Sequence, residues 1–476
     1  MTADVQGPSR KRLPLSVALP FALPAIPLTG LGLAMFISLA PYFASHLGVS
    51  LATVGLAFTI VRFCDMGVDV GLGAIMDRTR SPLGRYRLWM MIGTPIMMLG
   101  CYELFMAPVG IGLWYLVPWL LVLYFGWSIL NLAHPAWGAT LATHYDARSR
   151  LFGVLSAVGV LGACAVVIIP IAGGKLGLKD GQAVPVMGWF IIAALPITVA
   201  IAAARTREKI SVDIKTEKLR LRDYLELIIK PDLMRLVLAQ TCLTLGPGWM
   251  SALYLFYFKD GRGFDEPDAY LLLFIYILAG VCGAPSAAWL ATRFSKHRTL
   301  MAATTAYSLG LCTVVFLPRS NLLATVPVMF WCGFMASGFD LMVRAMLADV
   351  GDEVRLEHGR ERISLIYAMN GLAAKVAAAI QLAITYPLLQ QLGYKAREGA
   401  ANTPQAIHNL EISFIVGPII FVMLGGACLV GWRLNAHVHA HVRRQLEERD
   451  ALYDESPIVE TLTGHAGHVA MAAKVE

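Results

Sequence analysis

The stretch LATVGLAFTIVRFCDMGVDVGLGAI, Leu51 to Ile75, is long and apolar enough to cross a bilayer, yet it carries Arg62, Asp65 and Asp69. At about 100° per residue, these three fall within roughly 60° of one another on a single helix stripe. Each costs about 2.5–3.5 kcal/mol at a membrane midplane on insertion scales. A cluster kept at that cost reads as a cation or proton pathway. The competing reading is a static ion-pair network with no part in transport.

The rest of the chain agrees with a membrane setting. Of its 476 residues, 57% are hydrophobic and 15% charged, with a mean hydropathy of +0.62. Apolar runs of spanning length lie near 16–45, 51–75, 88–108, 112–142, 151–174, 184–204, 233–258, 269–292, 300–317, 322–347, 363–391 and 411–433. The expectation is an all-α polytopic membrane protein. The first apolar run is long enough to span and has no clear small-residue cleavage site, so it is read as a retained helix rather than a signal peptide.

Arg78, Arg80, Arg85 and Arg87 follow the second span, Arg148 and Arg150 the fourth, and Arg293, Lys296 and Arg298 the eighth, while Arg355, Arg360 and Arg362 precede the eleventh. Basic loops stay in the cytoplasm, so these loops and both termini are expected there, with the inner membrane as the location. The net charge of +7 is spread over such loops, which speaks against nucleic-acid binding. All eight cysteines fall inside the expected spans without paired spacing and are read as packing residues.

A polar segment, 205–232, divides the spans six and six. The expected organisation is an N-terminal bundle over 1–204, a cytoplasmic middle loop over 205–232, a C-terminal bundle over 233–435 and a cytoplasmic tail over 436–476. The end of span two, GAIMDRTRSPLGR, is echoed by AAWLATRFSKHR at the end of span eight, as expected of parallel six-helix repeats with a site at their interface. Within the middle loop, residues 219–228 suit a helix lying on the bilayer surface. In the tail, His437 and His441 share a helix face as a weak metal-binding candidate.

Other candidates follow from polar or aromatic residues inside spans. Trp137 suits stacking on a sugar ring, or plain packing, and His134 suits proton relay or an interhelical hydrogen bond. Tyr367, Gly371 and Lys375 repeat every four residues in span eleven, with Asn370 beside Tyr367. Asp340 and Arg344 share a stripe of span ten and are read as a gating or substrate pair, or as a structural salt bridge. Asp77, Arg78 and Arg85 form a loop pattern suited to holding one side closed, or simply to fixing topology. No Gly-rich phosphate loop ending in GK[ST] is present and the aspartate spacing lacks the metal set of a membrane phosphotransferase, so an enzyme is not expected.

The run RFCDMGVDVGLGAIMDRTRSPLGRYRLWMMIGTP (62–95), with PAWGATLATHYDARSR (135–150) and YAMNGLAAK (367–375), resembles the glycoside-pentoside-hexuronide:cation symporters of the major facilitator superfamily, whose best-known member is melibiose permease. The resemblance implies twelve transmembrane helices in two six-helix bundles. It also implies that Asp65 and Asp69 are the cation-site carboxylates, with Arg62 in the same cluster and Lys375 approaching it. Matched without gaps, the family's span-one carboxylate is Thr29 here, its span-four carboxylate Ala133, its sodium-site threonine Leu130, its span-five arginine Val158, and the asparagine between the paired carboxylates Val68.

Replacing three potential oxygen ligands with Leu130, Ala133 and Val68 favours H+ over Na+ as coupling ion, with no other cofactor. The expected function is cation-coupled symport of a sugar or glycoside, with Trp137, Thr29, His134, Asn370 and Tyr367 at the substrate. The alternative is an amphiphile such as a lysolipid, since lysophosphatidylcholine transporters are relatives and the cavity has lost charge. The expected partners are the small-molecule substrate and membrane lipid, and the chain is expected to be a monomer.

Overall fold

A computed structural model describes residues 14–141, 145–206, 208, 230–358 and 363–454. Twelve helices in it are long and apolar enough to span a membrane. They are α1 (Leu15–Ser45), α2 (Leu51–Arg78), α3 (Arg85–Phe105), α4 (Leu113–Leu141), α5 (Tyr145–Lys175), α6 (Ala183–Arg205), α7 (Pro231–Gly261), α8 (Glu266–Phe294), α9 (Lys296–Phe316), α10 (Leu322–Glu357), α11 (Ile363–Gln391) and α12 (Pro404–Ala427). A thirteenth helix, α13 (Ala436–Asp454), forms the tail. The proposed surface helix of the middle loop lies outside the described residues.

The pairing of helices repeats with an offset of six. In the first half α1 packs on α5 and α6, α2 on α4, and α3 on α4 and α6; in the second, α7 packs on α11 and α12, α8 on α10, and α9 on α10 and α12. Three main pairs join the halves: α2 with α11 and α5 with α8, which the same offset exchanges, and α1 with α7, which it maps onto itself. The molecule is therefore two six-helix bundles related by a repeat, the arrangement expected of a major facilitator fold.

Backbone approach at the seams depends on missing side chains. A Cβ on Gly55 of α2 would lie 2.7 Å from the Leu382 carbonyl oxygen of α11, so only glycine lets these two helices close. Span ends differ most from the sequence reading at α12 and α10. Helix α12 begins earlier, at Pro404, where Thr403 caps it by accepting the Ala406 amide at 3.2 Å. It stops at Ala427 although the chain stays apolar, leaving Cys428 just past its end, and Gly431 turns the backbone at φ 72°. Helix α10 runs ten residues beyond its apolar stretch because side chains from α9 and α13 hold its acidic extension: Lys296 Nζ bonds Asp349 at 2.6 Å, and His439 of α13 reaches Asp352 at 3.0 Å. It is His439, on the side of α13 opposite His437 and His441, that meets this acidic pair.

Candidate functional site

Helix α2 starts at Ser50, whose hydroxyl accepts the Thr53 amide at 3.1 Å, and three turns later delivers Arg62 and Asp65 into the N-terminal bundle. Both are buried. The Arg62 guanidinium lies 4.7 Å from the Tyr124 ring centroid and 5.4 Å from those of Phe36 and Trp127. Aromatic faces thus replace part of its hydration, an exchange worth about 2 kcal/mol when desolvated. Arg62 also stands 3.8 Å from Asp65, whose other oxygen accepts the Ser128 hydroxyl of α4 at 2.5 Å.

One turn further, Asp69 leaves this bundle's network. It forms an ion pair with Lys375 of α11, across the seam that Gly55 opens and that Thr59 spans with a 3.3 Å bond to the Ala379 carbonyl. Asp69 Oδ1 is buried without a hydrogen-bond partner among the described residues, while the Lys375 side chain is 40% exposed. The four residues read from the sequence as a cation site therefore do come together. They form two linked pairs, one inside a bundle and one between bundles.

The solute candidates separate. Thr29 lines a cavity of about 440 Å³ with Phe36, Trp127, Asn131, Ala163 and Ser251. Trp137 does not face it: the indole is fully buried, edge-on to Phe21 at 5.3 Å. His134 is buried beside it, with Nε2 2.7 Å from the Phe21 carbonyl. Asn370 is also buried, its amide directed to Gln240 of α7 at 3.4 Å. In this conformation all three are out of a solute's reach. Tyr367 is exposed and donates to the Arg344 carbonyl at 3.0 Å, and Arg344 pairs with Asp340 at 2.6 Å. The Asp77 side chain lies outside the described residues, Arg78 is exposed, and the Arg85 guanidinium sits 6.0 Å from the Tyr86 ring.

Sequence reasoning missed Ser128, Trp127 and Asn131, which share one stretch of α4. Trp127 touches the cavity and Arg62, Ser128 touches Asp65, and Asn131 is anchored to the Trp127 carbonyl at 2.9 Å. The signal was a cluster of hydrogen-bonding side chains in an apolar span. Among the positions that differ from the family pattern, Leu130 and Ala133 are fully buried, and Val158 packs with Ala22 and Ala25.

Polar contacts between bundles gather at the end opposite the Arg78–Arg85 loop. His46 meets Glu398 at 3.2 Å, Lys259 meets Asp180 at 2.7 Å, and the Gly181 amide donates to Glu266 at 2.9 Å. The Glu398 amide also donates to the Ser45 carbonyl at 2.9 Å, and Tyr270 donates to Ser38 at 2.8 Å. Nearby, burial and then the adjacent Asp260 carboxylate hold the Tyr394 phenol well above its usual range, so it stays a donor to Asp260. That end is latched.

The family model described as MFS/sugar transport protein matches residues 20–436. The chain belongs to that family. This transporter is 21% identical over 438 residues to the uncharacterised symporter YnaJ of Bacillus subtilis (strain 168), covering 87% of this chain and 90% of the relative. It is 25% identical over 342 residues to a lactose permease of Lactobacillus delbrueckii subsp. bulgaricus, covering 68% of this chain and 54% of that one. YagG of Escherichia coli (strain K12), named for glycoside/cation symport, is 22% identical over 90% of this chain and 94% of its own length. The fold is shared with the nucleoside transporter NupG (TM-score 0.62, 13% identity, 88% of this chain and 99% of that one). It is shared also with a bacterial homologue of the human lysosomal transporter Spinster (TM-score 0.60, 13% identity, 91% and 97%). The resemblance to melibiose-permease-like symporters stands, and the chain is a multi-pass secondary transporter of the major facilitator superfamily.

Proposed function

We propose that this transporter carries a sugar or glycoside together with a proton, by alternating access between its two bundles. The observation that supports this most is the placement of two carboxylates one turn apart: Asp65 is held within a bundle by Ser128 and Arg62, while Asp69 pairs with Lys375 across the seam. A proton arriving at Asp69 cancels the charge that holds Lys375, so α2 and α11 lose the ion pair joining them. Its departure restores that pair. The exposed flank of Lys375 gives the proton a route.

Sodium fits this site poorly. It needs several oxygen ligands, whereas each carboxylate already faces a cation, and Val68, Leu130 and Ala133 offer only carbon. For the solute, Thr29, Trp127 and Asn131 offer a flat ring with hydrogen-bonding groups beside it. Because Trp127 also stacks near Arg62, a seated solute lies one side chain from the cation site, and coupling between them is reciprocal. The apolar walls Leu33, Phe36 and Ile37 favour a second reading, an amphiphile such as a lysolipid.

With the basic loops and both termini in the cytoplasm of an inner membrane, the latched end faces outward and the conformation described is inward-facing. In this reading 205–232 is the cytoplasmic connection between bundles. The test is reconstitution in liposomes holding a pH-sensitive dye, with glycosides, pentosides, uronides and lysophosphatidylcholine added outside. Acidification triggered by a sugar and lost in Asp65→Asn and Asp69→Asn supports the proposal. A response to lysophosphatidylcholine alone moves the substrate class, and acidification by none of them refutes proton symport.

A further inference from the structure

We infer that Asp340 and Arg344 are the polar grip for the solute, and that the solute they suit is electrically neutral and rich in hydroxyls. The inference rests on the transport reading and narrows its substrate class.

The two residues sit in the second half of the apolar stretch of α10, 322–347, with Arg344 one turn from its end. Their side chains are 54% and 64% exposed, and the Arg344 Nε lies 2.6 Å from Asp340 Oδ2. Both still lie within that apolar stretch, where a charged group facing lipid is disfavoured, so the exposed faces suit the mouth of a water-filled cleft between the bundles. Two observations set its position. Tyr367 bonds the Arg344 carbonyl and begins the stripe Tyr367, Gly371, Lys375, where a Cβ on Gly371 would meet nothing within 4 Å. That stripe runs about 12 Å along α11 to the Lys375–Asp69 pair. The six-helix offset also makes α10 the counterpart of α4, whose Trp127 and Asn131 line the cavity with residues of α1 and α7.

The chemistry of the pair selects the solute. One guanidinium N–H is spent on Asp340, which leaves the terminal N–H groups as donors and the second carboxylate oxygen as acceptor. Neighbouring hydroxyls satisfy both at once, one accepting from Arg344 and one donating to Asp340. An anionic solute is opposed by Asp340 and a cationic one by Arg344. On the N-terminal side, Ala133 and Val158 carry no polar atoms, so the charge-assisted bonds come from the C-terminal bundle.

The experiment measures KM and maximal rate of proton-coupled uptake in liposomes for the sugar that gives the largest response in the glycoside panel. It uses wild type, Arg344→Gln, Asp340→Asn and the exchange Asp340→Arg with Arg344→Asp, each checked for thermal stability in detergent. Loss of one charge-assisted contact raises KM about tenfold or more in each single variant. The exchange keeps an intrahelical ion pair, and with it any structural role, yet does not restore KM because donor and acceptor have changed places. Recovery of wild-type KM by the exchange, or single variants with unchanged KM, overturns the inference while leaving proton symport intact. A wild type that responds to lysophosphatidylcholine and to no sugar overturns it too, and that failure shows in the wild type before any variant is made.

Discussion

At Asp65 one carboxylate oxygen takes the Ser128 hydroxyl at 2.5 Å and the other faces Arg62 at 3.8 Å, whereas Asp69, a turn later, has Lys375 and an Oδ1 with no hydrogen-bond partner among the described residues. The first is a satisfied charge and the second a poised one. Ser128→Ala removes a hydrogen bond to a charged group, worth about 1.5–3 kcal/mol, so proton-driven accumulation should fall at least about tenfold while solute-for-solute exchange continues. Parallel uptake and exchange assays check this. The two tryptophans of α4 should also part company. Trp127→Ala should raise solute KM about tenfold by removing a stacking face, and Trp137→Phe, buried against Phe21, should leave KM within about twofold and lower only thermal stability. The Asp pair and Lys375 were legible in the sequence because charge in an apolar run is costly. Ser128, Trp127 and Asn131 were not, because hydroxyl, indole and amide groups carry little such cost. Reading the aromatic residues inside that span singled out Trp137, which lies about 120° around α4 from Asn131.

Helix α2 meets α11 through Gly55, and that contact brings Asp69 to Lys375. Gly55→Val would drive methyl groups into the Leu382 carbonyl, an overpacking cost of about 1–3 kcal/mol. A lower melting midpoint in detergent, with weakened coupling between proton and solute, is expected, and an unchanged midpoint would show that the helices part freely. At this scale the sequence was informative about which segments are helices and less so about where they stop. Hydropathy sees burial in lipid, and it misses the acidic end of α10, which Lys296 and His439 hold in water, and the capped start of α12 at Thr403. The loop carrying Arg78 and Arg85 was readable as charge, and its effect on bundle closure stays a proposal.

Across the whole molecule, one end is latched by His46, Asp180, Lys259, Glu266 and Glu398, while the exposed charges of α10 sit in the half of its apolar stretch away from that end. Opening the latched end must separate the Ser45 carbonyl from the Glu398 amide, now 2.9 Å apart. With exposed Cys64, Cys282 and Cys312 replaced, joining Ser45→Cys to Glu398→Cys by a short thiol-cleavable bifunctional reagent should abolish uptake, and reductant should restore it. Unimpeded uptake by the linked protein would mean that this end does not open. The twofold repeat of helix pairings was foreshadowed by the echo between the ends of spans two and eight, but which helices form the seam depends on close packing that no one-dimensional pattern records. The central claim is that a proton at Asp69 releases Lys375 and so ties ion movement to solute movement. The most direct measurement is the number of protons entering liposomes per solute in wild type and in Asp69→Asn: a fixed, non-zero ratio in wild type, and solute exchange with no proton influx in the variant, is the result this account predicts, while proton influx driven by solute through Asp69→Asn contradicts it.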